Sequence, residues 1–153
     1  MTSCDVLLVS LGATAGLRAA DAELAASLRR GGASVAEVTV PRQPTVRTYA
    51  LTDFLWARAA RRAAQAHGDG ARTILYSSVT AALLWPRPGA VRFDAPAAGN
   101  RPGRHGLWQR PVERRRLAAA PLVAPWSAQA LAEAPGSDAA TVVVPVPVEP
   151  SGP

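Results

Sequence analysis

Lysine is missing from this chain: all 17 of its basic residues are Arg, among 153 residues. Without an ammonium side chain, a Walker phosphate loop, a pyridoxal Schiff base and the Tyr/Lys pair of short-chain dehydrogenases are all excluded, because Arg does not supply the deprotonated form. Cysteine is nearly missing too. The lone Cys4 rules out an internal disulfide and any multi-cysteine zinc site, so no metal is expected. With His67 and His105 remote in sequence, Cys4 reads as a small buried hydrophobe rather than a nucleophile. Aromatics make up only 5% of the chain, too few for a platform on which single-stranded bases stack, so nucleic acid is disfavoured as a partner. No apolar run approaches the ~20 residues that span a bilayer. The opening MTSCD lacks the basic start and apolar stretch of a secretory signal, and the expected location is cytoplasmic.

What is present has a globular balance, with 48% hydrophobic and 18% charged residues in a length typical of one domain. Thirty-three Ala beside Arg without Lys look like a GC-rich coding bias. Net charge is +6, and it is uneven: residues 95–120 hold six Arg against one acid, and residues 121–153 hold no Arg and three acids. The stretch from Asn100 to Arg116 is therefore where an anionic surface or phosphorylated ligand would be drawn.

Val6–Ser10 is apolar, too short for a helix and followed by Gly12, which reads as a strand buried on both faces. Leu17, Ala20, Leu24 and Leu28 then recur at helical spacing until Gly31 and Gly32, and the β-branched Val35–Val40 closes at Pro41. Strand, helix and strand at this spacing form one βαβ unit with parallel strands. The pattern continues with a helix marked by Leu51, Leu55, Ala59, Ala63 and Ala66, a strand over Thr73–Ser77 and a short helix over Ser78–Trp85. A strand over Ala90–Phe93, a helix near Val112–Ala120 and strands over Leu122–Ala124 and Thr141–Val144 complete it. The expected fold is α/β: a doubly wound, mostly parallel, Rossmann-like sheet of about six strands with helices on both faces. It occupies residues 1–144, and the proline-rich residues 145–153 read as a linker.

Ligands of such sheets bind outside the carboxyl ends of the strands, so the strand-to-helix loops carry the candidates. The first, GATAG, holds Gly12 and Gly16 before a helix, but it lacks the third glycine and the distal acid of a dinucleotide fingerprint; turn glycines and a phosphate cradle both fit. The segment after the fourth strand gathers Asp94, Asn100, Arg101, Arg104 and His105 among Gly and Pro, combining acceptors, donors and one imidazole; a solvated loop is its structural alternative. Ser127 reads as a helix N-cap, and Trp56 and Trp85 as core.

Together DVLLVSLGATAG, TILYSSVTAALL, AVRFDAPAAGNRPGRHGLWQRPVERRRL, PLVAPWSAQAL and TVVVPVPVEP resemble, in order and spacing, the amino-terminal halves of GT-B glycosyltransferases, especially the family 4 type common in actinobacteria. The resemblance covers nearly the whole chain. It implies an enzyme of two Rossmann-like domains, of which this is the acceptor-binding half. The nucleotide sugar belongs to a C-terminal donor domain with paired glutamates seven residues apart, so no cofactor is expected in this chain. The chain alone is then expected to be inactive. Carried over, the resemblance sets Gly12, Ala13, Thr14, Ser77, Ser78, Asp94, Asn100, Arg101 and His105 against a sugar, lipid or small-molecule acceptor. His105 is the catalytic candidate, although family members often carry a His directly after the fourth strand, where this chain has Asp94 and Ala95.

Two other readings compete. Arg104, Arg110, Arg114, Arg115 and Arg116 could form a module for an anionic membrane surface or nucleic acid, which would place the protein at the inner face of the membrane. Alternatively GATAG, with Arg42 receiving a 2′-phosphate, could serve an NAD(P)-dependent oxidoreductase, a reading that lacks the third glycine and the catalytic lysine.

Overall fold

Strand β1, Cys4–Ser10, lies inside the sheet because its side chains are apolar on both faces: Leu7 and Val9 point one way and Leu8 the other, all buried. The computed structural model describes residues 3–134, 136 and 138–146, so residues 147–153 of the expected linker lie outside the described residues. After β1 come α1 (Ala15–Arg30), β2 (Val35–Thr39), α2 (Tyr49–His67), β3 (Ala71–Tyr76), α3 (Val79–Ala82) and β4 (Ala90–Phe93). There follow α4 (Ala97–Asn100), a 3-10 turn (Gly103–Gly106), α5 (Gln109–Ala119), β5 (Leu122–Pro125), α6 (Ala128–Glu133) and β6 (Ala140–Thr141). All six strands are parallel, in the order β2-β1-β3-β4-β5-β6. This is the expected α/β, Rossmann-like sheet. Among the described residues no helix is long and apolar enough to cross a membrane.

The period of two along each strand separates two cores. Leu7, Val9, Ile74, Tyr76, Val91, Phe93 and Val123 pack with α2, α3, α5 and α6, whereas Leu8, Leu75 and Ala90 pack with α1 alone. Helix α1 buries Ala20, Asp21 and Ala25. Of the expected stripe, Ala20 is buried and Leu24 and Leu28 pack half-buried against the core that holds Leu8 and Leu75, with Leu17 half-buried as well.

Helix α2 differs more. Its buried residues are Asp53, Ala57, Ala60 and Ala64, not the stripe Leu51, Leu55, Ala59, Ala63 and Ala66. Two positions along a helix amount to about 200° of rotation, so Leu51 is 48% exposed and Leu55 only half-buried, while Ala59 and Ala63 flank the buried side and still pack against the core. The cause is that α2 is apolar on two sides, and the side bearing Asp53 is the one that finds a charged partner in Arg101.

At the far edge the expected strand over Thr141–Val144 is only Ala140–Thr141, although the amides of Val142 and Val144 still donate to the carbonyls of Val123 and Pro125. The exposed edge accounts for the short strand: Val142 and Val143 have no strand on their outer side among the described residues.

Candidate functional site

The loops leaving β3 and β4 open side by side, and between them lies a cleft roofed by α2 and α5. Its polar lining is Asp53, Ser78, Thr80, Asp94, Asn100, Arg101, Gln109 and Glu113. The lining comes from α2, α3, α4, α5 and the loop after β4, because the segment after β4 passes through α4 and the 3-10 turn before α5 begins. The space enclosed is ≈ 70 Å³, room for about two waters at ~30 Å³ each. A ligand would therefore insert one edge rather than its whole body.

Arg101 organises the cleft. Its Nε and Nη2 donate to the two carboxylate oxygens of Asp53 at 2.7 and 3.0 Å, a fork that holds its guanidinium above the ordinary arginine range. Gln109 Nε2 adds a donor to Asp53 at 3.2 Å. That leaves Gln109 Oε1 buried with no hydrogen-bond partner among the described residues. Glu113, one turn further along α5, is buried and accepts from the Ala97 amide at 2.6 Å. Burial pushes its carboxyl above the ordinary glutamate range, against the pull of that one amide. Ser78 caps α3 by accepting from the Ala81 amide, and Asp94 stands exposed at the lip, holding the Ala95 amide at 2.8 Å.

The lining thus offers three carboxyl groups and one guanidinium, and that guanidinium is already committed to one of the three. Acceptor capacity exceeds donor capacity, and the charge is negative. Such a cleft favours a ligand that donates hydrogen bonds and disfavours a phosphate, which meets like charge in a place of low dielectric.

A second polar cluster lies behind it. Asp21 of α1 accepts from the Ser10 hydroxyl and meets Arg92 of β4 at 3.3 Å, with both charges almost wholly buried. Burial raises the Asp21 carboxyl despite Ser10, Ser77 and Arg92, and lowers the Arg92 guanidinium despite Asp21 and Asp94. Arg92 also stacks under Trp126, with its Cζ 4.7 Å from the ring centroid.

Of the residues singled out from sequence, Ser78, Asp94, Asn100 and Arg101 line the cleft together, and Ser77 is buried near Asp21. Gly12, Ala13, Thr14 and His105 are not among its lining residues. Gly12 turns the chain at φ +58 beside Thr39, and Thr14 caps α1 by accepting from the Leu17 amide. His105 sits exposed on the 3-10 turn, edge-on to Tyr49 with centroids 5.6 Å apart. The arginines are divided. Arg110 donates to the Gly103 and Gly106 carbonyls, Arg116 donates to the Leu83 carbonyl and lies over Trp85, and Arg104, Arg114 and Arg115 are exposed.

Asp53, Gln109 and Glu113 were not legible as site residues. The available signal was that Asp53 and Glu113 are the sole acids of two helices otherwise rich in Ala and Arg, where an acid on the buried side has to find a partner. No protein-family model matches the chain, and neither a curated protein nor a solved structure matches it.

Proposed function

We propose that the chain is the acceptor-binding half of a nucleotide-sugar-dependent glycosyltransferase, with the cleft outside β3 and β4 taking hydroxyl groups of a neutral acceptor. The observation that supports it is the surplus of acceptors: Gln109 Oε1 buried without a partner, beside Asp94 and Glu113. A polyol or sugar edge supplies hydroxyl donors to these oxygens and brings no charge. In this reading Arg101 positions Asp53 and Gln109 rather than touching the acceptor, and Ser78, Thr80 and Asn100 contribute uncharged hydrogen-bonding groups. The negative lining suits an acceptor better than a nucleotide diphosphate, which the reading assigns to a second domain. Transfer requires that domain, because the leaving nucleotide must be held and its developing charge stabilised beside the acceptor.

Amide-resolved NMR titration tests the binding half. Methyl glucoside and methyl mannoside are expected to move the signals of Ser78, Thr80, Asn100, Gln109 and Glu113, and uridine diphosphate is not. Movement of these signals by uridine diphosphate alone, or by none of the three, overturns the reading. The coding sequence beyond Pro153 tests the other half. A second α/β domain with two glutamates seven residues apart is expected, and its absence removes the transferase.

A further inference from the structure

Helix α2 and edge strand β2 leave a groove between them that the acceptor cleft does not use. β2 pairs with β1 on one side only. On the α2 side of the sheet it is only partly covered: Ala36 is exposed, and Val38 is half-buried against the core. Faces of parallel strands are ordinarily covered, so this one stands partly open against the habit of the fold. The half-buried flank of α2 that bears Leu55, Ala59 and Ala63 supplies the opposite wall. Val38, Leu55, Ala59, Ala63 and Ala66 form an apolar floor for a cavity of ≈ 550 Å³, inside the ~300–1,000 Å³ range of small-ligand sites. Ala66 and His67 also line a neighbouring cavity of ≈ 250 Å³ that reaches Leu7 and Gly70, so the apolar space continues along the strand.

Two cations stand on this groove. Arg58 and Arg62 line it one helical turn apart, hence on one face of α2. Both are exposed, and neither has an ion pair or hydrogen-bond partner among the described residues. No carboxylate lines the larger cavity. In the smaller one Glu37 is held by Arg29 at 2.7 Å. A second copy of the chain related by a two-fold axis would set this Arg pair against its counterpart, like charge against like.

We propose that the groove between β2 and α2 binds a single-chain anionic amphiphile, its apolar tail along Val38, Ala59 and Ala63 and its anionic head between Arg58 and Arg62. The head receives two charge-assisted forks, and the tail covers the strand face that the fold leaves partly bare. This does not rest on the acceptor reading, since no residue of the groove lines the cleft.

Isothermal titration with dodecyl phosphate, held below its critical micelle concentration, tests it on the whole chain. One saturable site is expected, with dodecyl maltoside binding far more weakly and inorganic phosphate not at all. Replacing both arginines (Arg58→Ala with Arg62→Ala) is expected to weaken dodecyl phosphate about tenfold or more. Ala66→Phe, an exposed position where the two cavities meet, is expected to remove binding while the far-UV circular dichroism stays unchanged. Equal affinity for the maltoside, undiminished binding by the double variant, binding to anionic vesicles without binding to the monomeric amphiphile, or a dimer that excludes the amphiphile each overturns the proposal.

Discussion

Arg101 spans 48 residues of sequence to fork onto Asp53, joining the loop after β4 to the middle of α2. The fork ties the loop that carries Asn100 to the helix that roofs the cleft. It is also the reason α2 presents Asp53, rather than Leu51, to the interior. Asp53 is 5% exposed, so its carboxylate oxygens rely on these partners for hydrogen bonds.

Removing Arg101 leaves that carboxylate with Gln109 alone. Arg101→Ala is expected to lower stability by about 2–3 kcal/mol, the scale of hydrogen bonds to a charged group whose partner stays buried. Arg101→Lys recovers only part, because an ammonium cannot bridge both oxygens. Urea denaturation of the two variants, with Asp53→Asn and Asp53→Asn/Arg101→Ala to close a cycle, checks it. A coupling near zero would refute the fork as the tie.

Asp21 and Arg92 present the opposite balance. Burial displaces each from its ordinary range toward its neutral form in spite of the other's presence. Desolvation therefore outweighs the attraction of the pair across 3.3 Å. Asp21→Ala alone is expected to cost about 3–5 kcal/mol, since Arg92 would be left buried and unpaired. The double change Asp21→Leu with Arg92→Met is expected to be close to neutral, within about 1 kcal/mol of the parent. Chemical denaturation at pH 7 distinguishes the two outcomes. A double variant as damaged as the single one would mean that Ser10 and Ser77 depend on the ion pair as well.

The inner strands were legible in the sequence because they are buried on both faces; Cys4–Ser10, Ala71–Tyr76 and Ala90–Phe93 all fall on their apolar runs. Helix positions were legible too, and so was the Ser127 cap, which accepts from the Ala130 amide. Helix faces were not. In α2, leucine spacing favours one side, whereas alanines at 57, 60 and 64 let the other side pack closer. The cleft was half legible. Asp94, Asn100 and Arg101 come from one polar loop, while Asp53, Gln109 and Glu113 come from helices whose burial depends on tertiary contact. His105 shares that loop but stands on the 3-10 turn against Tyr49, since the turn carries the chain around the cleft rather than into it.

Gly12 is fixed by backbone shape and by space. At φ +58 it occupies the left-handed region, and a Cβ there would lie 2.5 Å from Thr39 Cγ2. The left-handed conformation alone costs an alanine about 1 kcal/mol, and the clash adds to it by pressing on the end of β2. Gly12→Ala is expected to lower the thermal midpoint. Gly12→Ala with Thr39→Ser is expected to recover the part owed to the clash, because serine has no Cγ2. No recovery in the double variant would show that backbone conformation accounts for the whole effect.

Stability against pH reports on Glu113. Its folded-state carboxyl titrates above the ordinary value of 4.5 because it is buried with one amide for a partner. The native state therefore holds this proton more tightly than the unfolded chain does, and stability falls as pH rises from about 4.5 through the folded-state value. Asp21 acts in the same sense from its ordinary value of 3.8. Asp5 and Glu23, lowered by Ser34 and Arg30 respectively, act in the opposite sense, and their contributions are lost at more acid pH. The decline with rising pH therefore belongs to the two raised carboxyls, Glu113 and Asp21. Glu113→Gln keeps an oxygen for the Ala97 amide and removes the titration. It is expected to flatten the decline and to exceed the parent in stability at pH 7, by about 1.4 kcal/mol for every tenfold difference in proton affinity between folded and unfolded states. Urea midpoints from pH 4.5 to 8 measure this. An unchanged slope in the variant would mean that the Glu113 carboxylate is solvated in the folded protein, and that the cleft is more open than its ≈ 70 Å³ implies.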